Sequence, residues 1–503
     1  MSTLRKQSIL SSIIIYIGFA LGFLNNYLFA REGGFTKTEY GLTSIFIAIA
    51  NVMYSVAIVG MPSYIYKFYP YYKAQLPPRK NDMMSVALVS SIVGFLLVML
   101  SGFIFKDFVI RKYQSNAPEL IRYYYWLFPF GFGLTLYTLL EAFAWQLRLT
   151  PLTNFLREVF FRLLTTVLII LFYLGLLRDF DLFIKIYAST YIITAGVLAA
   201  YLIVSKKLYL TFSISRLTKK FRKKIMALAA FVWGGNIVFT LSQMFDSIVI
   251  ASVLPDGLAF VGVYTLAQNI ASLVQAPQRA IVSSAIAPLS QAWKDKDLAK
   301  IDRIYHRSSI NQLLFAVGMF VLIWINFTDG VLSFHLKKEY LAAKEVFLFI
   351  GLMRIVDLGT GLNSQIIGTS LFWRFDFITG VILLAITLPL NYWLTKTMGV
   401  TGPAIANLLA LSLYNAFRYW FLLRKFNLQP FTLKSLYVLL MGLAGYMICH
   451  YAFDAMQGFG WIVLRSLVFI AFYVSCTLTL RISPDVIPVW QSLMQRLGWN
   501  KQK

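Results

Sequence analysis

Hydrophobic residues recur along the chain in runs of roughly 20, separated by short polar stretches. Wound as a helix, such a run is long enough to cross the roughly 30 Å hydrocarbon core of a bilayer. The pattern therefore predicts an all-α polytopic membrane protein with about fourteen transmembrane helices. We place these helices approximately at residues 8–29, 42–61, 83–104, 121–142, 158–177, 183–204, 226–252, 261–288, 310–330, 344–365, 374–395, 400–423, 435–454 and 461–481.

The composition agrees, because 59% of the 503 residues are hydrophobic and only 13% are charged. The net charge of +25 does not indicate a nucleic-acid partner, since the basic residues lie in short loops that alternate between the two sides. A cytoplasmic N-terminus places roughly 29 Lys and Arg in inside loops and roughly 11 in outside loops. Segment 205–224 is the most basic stretch and contains no acid, so we predict that it is cytoplasmic. The even number of helices returns the C-terminus to the same side.

Aromatic residues cluster where helices are predicted to meet lipid headgroups. We expect the tyrosines of segments 64–73 and 122–126 to anchor the chain at the interface, where amphipathic rings are favoured. The tail carries apolar residues at helical spacing and is predicted to lie along the inner surface, through Ile487, Trp490, Leu493 and Leu497.

A shift of about 221 residues lays the first six predicted helices on the next six. Gly41 then falls on Gly262, and Asn25 falls on Asp246. Because six is an even number, the two copies are expected to be parallel bundles related by a pseudo-two-fold axis along the membrane normal. Two helices lie outside this duplication. The predicted organisation is 1–204 for the N-terminal bundle, 205–225 for a basic cytoplasmic linker, 226–424 for the C-terminal bundle, 425–481 for helices 13 and 14, and 482–503 for a cytoplasmic interfacial tail.

Polar residues inside apolar runs are candidates for a functional site, because charges at membrane depth are costly. Arg279 has amide side chains around it, and Pro277 is expected to kink its helix. Two open alternatives are that Arg354 and Asp357, at i,i+3, neutralise each other, and that Asp246 only bonds a neighbouring helix. The predicted substrate cavity comprises Arg279, Asn25, Asn26, Asn51, Asn236, Gln243, Gln268, Asn269, Gln275 and Arg354.

A cavity lined by amides, tyrosines and isolated cations suits a large, hydroxyl-rich, anionic cargo. Each hydroxyl that is stripped of water in hydrocarbon costs roughly 4–8 kcal/mol. Amides replace those hydrogen bonds, and an arginine can bind a phosphate through two N–H groups.

Three stretches resemble the multidrug/oligosaccharidyl-lipid/polysaccharide (MOP) exporter superfamily, and specifically its Wzx-like polysaccharide flippases. The first stretch ends helix one and opens helix two, the second spans helices seven and eight, and the third enters helix twelve. The matching residues are Arg31, Gly33, Gly34, Glu39, Tyr40 and Gly41, then Asp246, Gly262, Tyr264 and Pro288, then segment 399–409.

The resemblance implies a flippase of the bacterial inner membrane that moves undecaprenyl-pyrophosphate-linked oligosaccharide from the cytoplasmic to the periplasmic leaflet by alternating access. The product would serve the assembly of surface polysaccharide such as O-antigen. Helices 13 and 14 would border a groove for the lipid tail. We expect a monomer in contact with membrane lipids and with polysaccharide assembly proteins, and both termini in the cytoplasm.

The resemblance also assigns roles to particular residues. Asp246 and Asp357 could couple transport to Na⁺ or H⁺, as carboxylates of the C-terminal bundle do in cation-coupled relatives. Structural or hinge roles fall to Arg31, Gly41, Gly262 and Pro277. No metal or other cofactor is predicted.

Two other functions compete with the flippase. A cation-coupled drug antiporter of the same fold (MATE type) lacks the two additional helices, and this chain has Asn25 and Asn26 where such antiporters carry an acid. A membrane polysaccharide polymerase or ligase needs a large outside loop with catalytic residues, whereas the longest predicted outside loop is 105–120. We therefore predict a transporter and not an enzyme.

Overall fold

The computed structural model describes residues 3–177, 179–211, 213–453 and 456–486. These residues form helices and turns without a β-strand. Eleven helical stretches among them are long and apolar enough to cross a membrane, one of which, Ile378–Phe426, contains two successive helices. The prediction of an all-α polytopic membrane protein is thus confirmed, while the count of fourteen helices stays a prediction.

The chain divides into two compact units, Met1–Gly262 and Val263–Lys503, which we call unit 1 and unit 2. The boundary falls inside a helix that starts at Gly257. The division at the basic linker into two parallel bundles remains a prediction.

Twelve helices lie wholly within unit 1. They are α1 (Thr3–Ala30), α2 (Lys37–Ala57), α3 (Met61–Gln75), α4 (Met83–Ile104), α5 (Lys106–Tyr113), α6 (Pro118–Arg122), α7 (Leu127–Gln146), α8 (Thr150–Asn154), α9 (Phe161–Tyr173), α10 (Phe180–Tyr187), α11 (Thr190–Val204) and α12 (Arg216–Val253). A π-helical turn, Phe155–Phe160, joins α8 to α9.

The remaining helices begin with the one that crosses the boundary. They are α13 (Gly257–Ala271), α14 (Gln278–Lys294), α15 (Leu298–Ser333), α16 (Ala343–Gly359), α17 (Asn363–Thr369), α18 (Trp373–Met398), α19 (Gly402–Phe426), α20 (Leu433–Phe453) and α21 (Phe459–Thr479). Short 3₁₀ turns occur at Pro78–Lys80, Tyr124–Trp126, Ser272–Gln275, Lys338–Ala342 and Gly399–Thr401.

Helix α2 begins at a capping box that the sequence carries as Thr-Lys-Thr-Glu. The Thr36 hydroxyl accepts from the Glu39 amide at 3.1 Å, and the Glu39 carboxylate accepts from the Thr36 amide at 2.7 Å. These bonds satisfy two backbone donors that a helix start leaves without partners. The helix therefore starts five residues earlier than the predicted span 42–61.

The tyrosine-rich segment 64–73 is helical, and its role as an interfacial anchor stays a prediction. Gly60, at φ 68°, bends the chain, and helix continues as α3. Tyr64 and Tyr72 are fully buried and share a hydrogen bond of 3.0 Å between their hydroxyls. Tyr64, Tyr69 and Tyr72 lie on the buried face of α3, which packs on α7 and α4, whereas Tyr66 and Tyr71 are 39% and 50% exposed.

The second half of the basic segment 205–225 is helical. Its last ten residues form the start of α12, capped by the Ser215 hydroxyl, which accepts from the Thr218 amide at 3.1 Å. Hydropathy misses this extension because a helix that leaves the membrane keeps its hydrogen bonds but loses its apolar residues. The predicted interfacial positions of the tail from Ile487 onward lie outside the described residues.

Large apolar side chains face outward along the membrane-crossing helices. On α4, Leu96 and Leu97 lie on the outer face and are 55% and 59% exposed, whereas Phe95 faces the interior and is 2% exposed. In a bilayer such residues contact lipid tails, so exposure of this kind is expected of the fold.

Candidate functional site

Unit 1 holds a charged pair within its helices. The Arg157 guanidinium lies 3.0 Å from the Glu141 carboxylate, and the Glu141 side chain is only 4% exposed while that of Arg157 is 51% exposed. Arg157 stands on the π-helical turn, a local widening of the helix that changes the direction of side chains and often marks functional positions. The buried carboxylate is balanced by a cation that remains accessible.

Tyrosines and an amide surround this pair. The Tyr54 hydroxyl on α2 is close to the Asn236 side chain on α12, and both Glu141 and Arg157 are close enough to influence Tyr54 electrostatically. α2 and α12 pack together, so the predicted cavity residue Asn236 does meet a polar group of another helix. This collection of a cation, an acid, a phenol and an amide is the candidate site of unit 1, which we call the Arg157 cluster.

Other predicted cavity residues of unit 1 join helices. Asn25 on α1 is 7% exposed; its amide donates to the Arg162 carbonyl at 3.0 Å and accepts from the Thr166 hydroxyl at 2.6 Å. Asn26 accepts from the Tyr40 hydroxyl at 3.1 Å, which ties α1 to α2. The geometry explains both residues by helix packing, and their role in lining a cavity stays a prediction.

Three further predicted residues of unit 1 differ in their surroundings. Asn51 donates to the Ile47 carbonyl of its own helix at 2.7 Å, and Gln243 is exposed. Asp246 is 4% exposed and takes part in a polar or electrostatic interaction. Its burial agrees with either a helix contact or a coupling role, and neither is decided.

Unit 2 contains a hydrogen-bonded network centred on Asp357. The carboxylate accepts from the Gln278 amide at 3.3 Å and from the Asn415 amide at 3.1 Å. The Asn415 carbonyl oxygen in turn accepts from the Asn363 amide at 2.8 Å and from the Thr360 hydroxyl at 3.2 Å. Helices α14, α16, α17 and α19 thus meet in one network, which we call the Asp357 network.

The Asp357 network is suited to holding a charge inside the membrane. Asn363 and Asn415 are 3% and 1% exposed, and amides stabilise a carboxylate by donating hydrogen bonds without removing its charge. Arg354, one turn before Asp357, is half-buried and has interactions of its own. The arrangement leaves a carboxylate that accepts hydrogen bonds from two amides, and its role in cation coupling stays a prediction.

The helical path of α13 and α14 breaks where Pro277 was expected to kink it. α13 ends at Ala271, a 3₁₀ turn follows, and α14 begins directly after Pro277. Gln268, Asn269 and Gln275 are all half-buried around this break. The Arg279 side chain lies outside the described residues, so its cavity role remains a prediction.

The predicted hinge residues of unit 1 include two glycines that touch. A Cβ on Gly41 would overlap the Leu258 carbonyl oxygen, and one on Gly262 would lie 2.5 Å from the Lys37 carbonyl oxygen. Glycine is therefore required where α2 and the start of α13 approach each other. Arg31 is exposed in the turn before α2. The structural importance of the glycines is clear, and their action as a hinge stays a prediction.

Sequence reasoning missed Arg157 and Asn415. A signal for Arg157 existed, since an isolated Glu141 in an apolar run requires a counter-charge from another helix. Asn415 carried no comparable signal, because single amides in transmembrane helices are common helix contacts. Within the described part of the chain, no group of three or more His, Cys, Asp or Glu side chains could hold a metal ion.

Comparison with known proteins places this geometry in a family. The profile of the family described as polysaccharide biosynthesis protein matches residues 4–293, more than half of the chain. No curated protein sequence matches the chain significantly.

Two solved structures are similar over most of the chain. A lipid II flippase (MurJ) in an inward closed conformation has a TM-score of 0.71 at 16% identity and covers 95% of this chain and 100% of its own. An inward-facing multidrug resistance MATE transporter of the MOP superfamily has a TM-score of 0.60 at 14% identity and covers 82% of this chain and 97% of its own. At these identities the likeness concerns the fold. The chain belongs to the family of polysaccharide biosynthesis proteins.

Proposed function

We propose that this protein is a flippase for lipid-linked oligosaccharide that moves an undecaprenyl-pyrophosphate-linked glycan from the cytoplasmic to the periplasmic leaflet by alternating access. The observation that carries the proposal is the family match over residues 4–293, because that family is described by polysaccharide biosynthesis. Surface polysaccharide, for example O-antigen, would be assembled from the translocated units. The proposed location is the bacterial inner membrane, with both termini in the cytoplasm.

The polar groups inside the membrane-crossing helices support this cargo. The half-exposed Arg157 presents N–H groups that match phosphate oxygens, and the neighbouring tyrosine and amide can bind sugar hydroxyls. Without such partners each buried hydroxyl would cost roughly 4–8 kcal/mol in hydrocarbon. A polar path through the helices removes that barrier.

A cation-coupled drug antiporter is the second candidate. The half-buried Asp357 carboxylate, which accepts from the amides of Gln278 and Asn415, could bind Na⁺ or H⁺. The same network could equally drive a flippase, so it bears on the energy source rather than on the cargo. Coverage favours the flippase, since the lipid II flippase fold accounts for 95% of this chain and the drug transporter fold for 82%.

A depletion strain tests the proposal. When the protein is depleted, lipid-linked glycan should accumulate in the inner leaflet and surface glycan should disappear, which lipid extraction and surface labelling measure. Complementation with the wild-type chain should restore export, and Arg279→Ala should not, although it inserts normally. Normal surface glycan without accumulation would refute the flippase, and full export by Arg279→Ala would remove Arg279 from the mechanism.

A further inference from the structure

A cavity of about 280 Å³ lies in unit 2 where the ends of four helices meet. α15 ends and α16 begins at one connection, while α20 ends and α21 begins at another. Residues near all four of these helix ends line the cavity, so the two connections lie on the same side of unit 2. Asp329, one of the lining residues, lies four residues before the end of α15, or about 6 Å along the helix. The cavity therefore lies near the ends of these helices rather than at their middle.

The wall of the cavity contains a buried ion pair. Arg465 and Asp329 lie 2.9 Å apart, and both side chains are only 8% exposed. Arg465 also donates to the carbonyls of Ile325 at 2.6 Å and Met456 at 2.9 Å. The guanidinium is therefore well satisfied, and the single negative charge of Asp329 is matched by it.

Lys344 adds a second cation to the same wall. Its ammonium donates to the Thr328 hydroxyl at 3.0 Å and lies 4.9 Å from the centre of the Trp324 ring. An ammonium has three N–H donors, so these contacts orient it and leave donor capacity for a ligand. With Asp329 bonded to Arg465, the described lining residues carry two cations and one carboxylate.

This surplus of positive charge points to an anionic ligand. Protein walls of low dielectric strengthen the field of an uncompensated cation, and a phosphate ester combines negative charge with several acceptor oxygens. Lipid phosphates lie near the ends of helices that cross a membrane, as this cavity lies near helix ends. We propose that this cavity binds the phosphate group of an anionic membrane lipid, with Lys344 as the contact residue. None of the residues of the Arg157 cluster or the Asp357 network lines it, and the proposal does not depend on the transported cargo.

Lipid titration of the full-length protein in neutral detergent tests this site. Phosphatidylglycerol should raise the thermal unfolding midpoint of the wild type more than phosphatidylcholine does. Lys344→Gln should weaken the apparent affinity for phosphatidylglycerol about fivefold. This factor corresponds to the binding free energy that one basic residue contributes near anionic lipid. The matched control is Lys338→Gln, an exposed lysine of the neighbouring connection, which should titrate like the wild type. Lys344→Arg should retain most of the affinity.

Three outcomes overturn the proposal. One is equal stabilisation by the two lipids, and another is an unchanged titration of Lys344→Gln. The third is stabilisation of the same size by inorganic phosphate at equal concentration, which would make the cavity a site for free anions instead of lipid. If Lys344→Gln does not fold, Thr328→Val decides, because it removes the hydroxyl that orients the ammonium and should also weaken selectivity for phosphatidylglycerol.

Discussion

Arg157 and Glu141 depend on each other because one of them is buried. Arg157→Ala leaves a 4%-exposed carboxylate without its counter-charge, which should destabilise the protein by about 3 kcal/mol, near the lower end for a buried pair since the arginine is half-exposed. The double variant Arg157→Ala/Glu141→Ala should recover much of that loss. The thermal unfolding midpoints of the two single variants and the double variant in detergent measure the coupling, and strictly additive losses would show that the two residues act independently.

At the level of single residues, the sequence indicated that polar groups within apolar runs have partners, but not which partner each one has. Asn236 and Asp357 both take part in polar contacts between helices, as their positions in apolar runs indicated. Asn25 looked equally suited to a cavity, yet it bonds α1 to α9. The difference arises from helix rotation and partner choice, which the pattern of apolar residues along one helix does not contain.

Among the helices, the contact of α2 with the start of α13 depends most on side-chain size. Gly41→Ala should lower the unfolding midpoint, since the added methyl group would overlap the Leu258 carbonyl oxygen and overpacking costs about 1–3 kcal/mol. Gly196→Ala in α11 is the matched control, because no atom lies within 4 Å of the added Cβ. That control should be neutral or gain up to about 1 kcal/mol from helix propensity. Equal effects of both substitutions would exclude a special packing role for Gly41.

The segment after α21 is bound to α15 by a pH-dependent contact of Asp485 with Arg307 and Asn311, which we call the clamp. The hydrogen bond from Arg307 lowers the pKa of the Asp485 carboxyl, and the Asn311 amide donates to the same carboxylate at 2.7 Å. Because the folded pKa lies below the unfolded value of about 3.9, the clamp stabilises the docked segment above that pH and is lost as the pH falls through the folded pKa.

Hydrogen exchange measures the clamp directly. Protection of residues 481–486 should fall as the pH is lowered below about 4, after correction for intrinsic exchange. Asp485→Asn should have low protection at every pH, and Arg307→Gln should shift the loss of protection to higher pH. A profile that is the same in the wild type and in Arg307→Gln would rule out this ion pair as the cause.

Helices that cross the membrane were predictable from hydropathy, and their polar extensions were not. Each predicted span overlaps helix in the structure, and eleven stretches of the described residues are long and apolar enough to cross a membrane, where an apolar run has no other way to satisfy its backbone. α3 and the first turns of α12 lie beyond the apolar runs and depend on packing and capping, through Tyr64 and Ser215. Two predicted spans are interrupted where a residue disfavours continuous helix, at Gly60 with its positive φ and at Pro277.

For the whole molecule, the family match relates the chain to polysaccharide biosynthesis, and movement of a substrate across the membrane is our proposal. The fold is similar to that of a lipid II flippase and of a multidrug transporter, so the fold alone does not choose the cargo. The family match and the phosphate-compatible Arg157 cluster together favour a lipid-linked glycan.

Translocation by the purified protein in vesicles tests the central proposal most directly. Fluorescent polyprenyl-pyrophosphate oligosaccharide is placed in one leaflet, and its arrival in the other is followed by quenching from outside. We predict that vesicles with the protein expose the glycan far faster than empty vesicles, and that a cationic drug loaded into the same vesicles is not moved. Drug transport without any acceleration of glycan exposure would contradict the flippase and establish the drug antiporter.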